Sequence, residues 1–110
     1  MEQATIAIHT IEHTDSVTVQ LHGTIDVFVA ADLYVTAKQL VVMGKDVTVT
    51  CALTEGFDAS AVQILLALQA DLRTKGKCLV MTDVSPSVKK WLAHSGVTNN
   101  LLNRGERISS

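Results

Sequence analysis

The chain has 110 residues, 47% of them hydrophobic and 18% charged, with a formal net charge of −2. That length fits a single domain (residues 1–110, core about 5–102), and that balance is too apolar for disorder. A domain of this size folds without disulfides or metal, and a charge so near zero supplies no basic stripe for nucleic acid.

Residues 5–11 alternate apolar and polar and predict a first strand. His13-Thr14-Asp15-Ser16 makes a turn, and Val17, Val19 and Leu21 alternate with Thr18, Gln20 and His22 in a second strand. His9 and His22 fall at polar strand positions, as surface residues do. Gly23-Thr24-Ile25-Asp26 leads into a helix over roughly 29–43, capped by Asp26 and stopped by Gly44. Its core face is Val29, Leu33, Ala37, Leu40 and Val41. Val47, Val49 and Cys51 form a third strand, and Leu53–Asp58 reads as a loop. Asp58 caps the most apolar helix, about Ala59 to Lys75. Ala61, Leu65, Leu68 and Leu72 make its buried stripe. Ser60, Gln63, Ala67, Asp71 and Thr74 make the opposite face, with Val62 and Leu66 as an apolar shoulder. Gly76 ends that helix, Cys78–Met81 is a fourth strand, and Ser85-Pro86 starts a last helix that buries Val88, Trp91 and Leu92 before Gly96. From Leu101 the pattern weakens. The order ββαβαβα predicts an α/β fold, a mixed sheet covered by helices chiefly on one face.

The motifs of common chemistry are missing from the sequence. Its glycines are isolated, so there is no phosphate-cradling loop, and no Gly-x-Ser-x-Gly or His-Glu-x-x-His is present. Cys51 and Cys78 share no ligand spacing with the four histidines, so no metal or other cofactor is expected, and both read as reduced, buried hydrophobes. Arg73/Lys75/Lys77 and Lys89/Lys90 lack interleaved aromatics and read as solvated surface charge. The stretch Ala61–Ala70 is too short to span a bilayer, and residues 1–10 have neither a basic start nor a long apolar run. The sequence therefore predicts a cytoplasmic protein with no direct membrane insertion.

Three segments resemble the STAS domains, the sulfate-transporter and anti-sigma-factor-antagonist domains. Gly23-Thr24-Ile25-Asp26 resembles that family's "Gly-x-Leu-Asp" start. Val47–Cys51 followed by Phe57-Asp58-Ala59-Ser60-Ala61 and an apolar helix looks like its central strand–"Asp-Ser-Ser-Gly"–helix motif. Ser85-Pro86-Ser87-Val88 through Ser95-Gly96-Val97 resembles its last helix. The resemblance implies a STAS-like fold and a non-catalytic module that binds an anti-sigma factor, itself a serine kinase, or a signalling complex. In such antagonists, phosphorylation of the Ser after the motif Asp breaks the complex, since phosphate adds roughly −1.5 to −2 charge at the contact surface. Here that position is Ala59, so the usual switch is expected to be absent. Ser60 matches the second hydroxyl position and is a possible phosphorylation site, or it only serves the helix end.

The contact surface implied is Asp26, Asp58, Ala59, Ser60, Gln63, Leu66 and Ala67. A homodimer through the Val62/Leu66 shoulder is possible. The resemblance extends to small STAS subunits of chemosensory or lipid-transporting ABC assemblies. A third reading is an enzyme or small-ligand domain using Ser60, Asp58 and Thr50 clustered at a strand's carboxyl end.

Overall fold

The computed structural model describes residues 7–94, with side-chain surroundings up to residue 90. The elements are β1 (Ile8–Glu12), β2 (Ser16–Ile25), α1 (Val27–Met43), β3 (Asp46–Phe57), α2 (Ala59–Thr74), β4 (Leu79–Thr82) and α3 (Pro86–His94). This is the predicted order. The expected roles of Trp91 and Leu92 in α3, the Gly96 stop and the tail lie outside the described side chains and residues.

One sheet runs β1-β2-β3-β4. β1 and β2 are antiparallel around the His13–Asp15 turn, closed by the His13 N–H on the Ser16 carbonyl at 2.8 Å. β2, β3 and β4 are mutually parallel. The two crossovers step the same way across the sheet, so right-handed connections set α1 and α2 on the same face, packed on each other.

Strand alternation supplies that face. Val17, Val47 and Leu79 share one row of the ladder, and Val19, Val49 and Met81 the next. All six are buried beneath Ala30, Leu33, Ala37 and Leu40 of α1 and Ala61, Leu65, Leu68 and Leu72 of α2. The other face carries the rows Thr18-Thr48-Val80 and Gln20-Thr50-Thr82, all half-buried. α1 stops where expected: Gly44 adopts φ +64°, which a side chain disfavours, and its N–H reaches the Leu40 carbonyl at 3.2 Å. At α3 the Ser85 hydroxyl oxygen accepts from the Val88 N–H at 3.2 Å, as Ser-Pro predicts.

Four expectations need correction. The supposed loop Leu53–Asp58 is strand: β3 continues to Phe57 alongside β2 as far as Ile25. Two register shifts hide it. Gln20 pairs Thr50 while His22 pairs Leu53, and Gly23 pairs Thr54 while Thr24 pairs Gly56. Each bulge adds a residue to β3, so its buried positions fall at Cys51, Thr54 and Phe57, a period of three that resembles no strand. The buried Thr54 hydroxyl donates to the Leu21 carbonyl at 3.1 Å, satisfying a group beside the first bulge. Second, Val62 is not a surface shoulder; it is 3% exposed and belongs to the core. Third, Cys78 lies just before β4 and is only half-buried, with its N–H on the Asp46 carboxylate at 3.0 Å. Fourth, α1 begins two residues earlier than expected, and within the described residues β1 runs from Ile8, residues 5 and 6 of the expected first strand lying outside them.

Leu65, 1% exposed between α2 and the sheet, tests this core. Leu65→Ala should lower stability by about 2–5 kcal/mol, read from the urea midpoint at unchanged slope, while the exposed Glu55→Gln should stay within about 0.5 kcal/mol of wild type.

Candidate functional site

β2 and β3 end side by side, with Ile25 paired to Phe57, and each strand is followed at once by an aspartate. Asp26 is the N-cap of α1, its Oδ1 accepting from the Phe28 and Val29 N–H groups at 3.0 Å each. Asp58 is the N-cap of α2, its Oδ2 accepting from the Ser60 N–H at 2.9 Å and the Ser60 hydroxyl at 2.5 Å. The Asp58 N–H donates to the Ile25 carbonyl at 2.7 Å, so the two caps are tied together. Both are exposed, as is Ala59, and Ser60 is half-buried. Two helix N-termini, each carrying a carboxylate, thus form one exposed corner.

The chemistry of this corner follows from those bonds. The hydrogen bond from the Ser60 hydroxyl, and then that from its N–H, hold the Asp58 carboxyl below the usual aspartate range. A carboxylate so stabilised is a weak base toward the Ser60 proton, so the contact acts as a cap and does not activate a nucleophile. Thr50, expected beside Asp58 and Ser60, is eight residues upstream in a strand that carries two bulges, on the order of 20 Å away at ~3.3 Å per laddered residue. That three-residue cluster does not form. Cys51 is no alternative: burial, opposed by a Thr54 hydrogen bond and reinforced by the Asp83 charge, pushes its thiol up to about 12. Among the described residues, no three His, Cys, Asp or Glu side chains converge to hold a metal ion.

Behind the corner, α1 and α2 leave an open, mainly apolar groove of about 600 Å³. Its α2 wall includes Ser60, Gln63 and Ala67, which the sequence placed on the contact surface. Its α1 wall includes Val41, which the sequence placed on the core face, and Tyr34, Lys38 and Val42, which sequence reasoning missed because it followed only the core side of α1. Leu66 is half-buried against the core and lies outside the groove. No helix among the described residues is long and apolar enough to cross a membrane.

The family model described as "Mlab, STAS domain" matches residues 8–103. A comparison with curated proteins finds no match. Among solved structures, the anti-sigma factor antagonist SpoIIAA in its unphosphorylated form is similar with a TM-score of 0.69 at 17% identity, over 79% of this chain and 82% of that one. The phosphorylated form of SpoIIAA, the Bacillus cell fate determinant, gives 0.69 at 18% identity, over 87% and 88%. A putative anti-sigma factor antagonist from Thermotoga maritima gives 0.76 at 9% identity, over 86% and 83%. At these identities the likeness is one of fold.

Because its folded-state pKa is depressed, the Asp58 carboxylate contributes stability above the ordinary carboxylate range and loses it as pH falls through the folded value. The stability gap between wild type and Asp58→Asn should be widest at neutral pH and close below about pH 4, measured by urea unfolding across pH. In the native protein at pH 8, alkylation followed by peptide mass mapping should label Cys78 well before Cys51.

Proposed function

The chain belongs to the STAS domain family, and from that premise we propose that it is a non-catalytic, protein-binding regulatory module of the anti-sigma factor antagonist type. It acts in the cytoplasm of a bacterial cell, and its docking surface is the Asp26–Asp58 corner with Ala59, Ser60, Gln63, Ala67 and the neighbouring Leu66. The observation that carries this reading is the exposed double cap. Two carboxylates at adjacent helix starts present acceptors in fixed positions, beside small residues that let a partner's backbone approach.

Ala59 shapes how such a module is regulated. It is exposed directly after the cap and has no hydroxyl, so a kinase-like partner has no acceptor where the resembled antagonists carry their serine. Ser60 does have a hydroxyl, but it is engaged with Asp58 and half-buried. Adding a phosphate there would set a dianion against the cap carboxylate and break both hydrogen bonds. The module therefore binds without a phospho-dependent release.

A second reading keeps the same surface and makes the chain the STAS subunit of a chemosensory or lipid-transport ABC assembly. Ala59 is the observation that favours it, since a permanent subunit needs no release switch.

Ala59→Glu places a charge on the corner without touching the core. It should reduce recovery of the partner by at least about tenfold in affinity capture, with the captured protein identified by mass spectrometry as a kinase-like or an ATPase component. Equal recovery by wild type and variant sinks the proposed surface. Incubation with that partner and ATP should leave the 57–61 peptide unmodified, and phosphate on Ser60 would show that the switch has moved by one residue.

A further inference from the structure

β3 turns Val47, Val49, Cys51, Thr54 and Phe57 inward. Thr54, 6% exposed, is the hydroxyl-bearing member of that set, and its neighbour Leu53 is 62% exposed. Apolar burial alone favours the reverse, Leu53 inside and Thr54 outside, which is what plain alternation after Cys51 would give. Something other than hydrophobicity therefore holds the observed arrangement.

The Thr54 hydroxyl supplies it. It donates to the Leu21 carbonyl at 3.1 Å. Leu21 is the β2 residue that faces the first bulge, since Gln20 pairs Thr50 and His22 pairs Leu53. The bond thus reaches back across the bulge. Cys51, one of the two β3 residues opposite Leu21, has its thiol hydrogen-bonded to the same hydroxyl. Leu21 and Cys51 are each 1% exposed, so water does not stand in for these bonds.

The consequence lies at the far end of the strand. Continued one residue to one from Gln20 and Thr50, the ladder would pair Ile25 with Glu55 instead of Phe57. Each bulge takes up one residue of β3, so loss of the first alone advances Asp58 by about 3 Å. That is more than its 2.7 Å bond to the Ile25 carbonyl can span, and the caps of α1 and α2 would part.

We propose that Thr54 is the positioning residue of the exposed corner: its hydroxyl fixes the first bulge and so keeps the Asp58 cap level with Asp26. This placement is independent of what docks at the corner. Its effect on partner binding rests on the function proposed above.

Amide hydrogen exchange of the full chain, followed by NMR, is the test. The Asp58 N–H, bonded to the Ile25 carbonyl, reports the corner. The Val47 N–H, bonded to the Cys78 carbonyl at 2.9 Å, reports β3 before the bulges. Thr54→Val keeps the shape and removes the hydroxyl. It should lower protection at Asp58 at least about tenfold more than at Val47. Thr54→Ser keeps the hydroxyl and should hold the wild-type ratio of the two. Thr54→Ser and Thr54→Ala differ by that one oxygen, so they repeat the comparison if Thr54→Val does not fold. Equal loss at both amides, or no loss at either, overturns the proposal. So does Thr54→Ser losing the corner as Thr54→Val does. Partner capture separates this inference from the function above. If Thr54→Val opens the corner yet recovers the partner as wild type does, Thr54 stands as the positioning residue and the docking surface falls.

Discussion

The hydrogen bond from the Asp58 N–H to the Ile25 carbonyl fixes where two helices begin. Parallel strands give no local turn to set their ends, so something must hold the carboxyl ends of β2 and β3 level. Here the ladder runs to Ile25 and Phe57, and this bond carries the alignment one residue further, into the cap of α2. Asp26 and Asp58 then cap their helices from adjacent positions. Moving either strand by one residue would invert its faces and pull the two caps apart. The exposed corner is thus a product of strand register, and the bulges in β3 are what bring that register out even.

The same corner commits its one hydroxyl to the fold. The Asp58 carboxylate spends two acceptor positions on Ser60, which closes the helix end and leaves that hydroxyl committed. What remains outward is Ala59 and the unused oxygens of two aspartates. Such a surface presents shape and hydrogen-bond acceptors to the solvent.

What the sequence disclosed follows the range of the interactions involved. The Asp26 and Asp58 caps, the stops at Gly44 and Gly76 and the Ser85-Pro86 start are decided within four residues, and these were legible. So was the ββαβαβα order, since each helix carries its own apolar stripe. β3 beyond Cys51 was not legible, because its period of three arises from bulges opposite β2, a partner about thirty residues away in the chain. Val62 looked like a shoulder because wheel position alone does not say how wide a strip the sheet covers. Thr50 was placed near Asp58 because the strand between them was taken as a loop. Tyr34 and Lys38 of the groove went unread because only α1 positions facing inward were followed.

β4 matches only Val47–Thr50 of β3, and β1 closes the other side of the sheet with five residues. Each outermost strand is a template on which an unfolded neighbour's strand can grow, the usual first step toward aggregation. β4 answers by brevity, four residues being too few to hold an added strand. β1 answers with polar and charged side chains, His9, Thr10 and Glu12, the last held by Lys45 at 2.7 Å. The shortness of one margin and the polarity of the other thus work against strand-to-strand growth in a domain rich in β-branched residues.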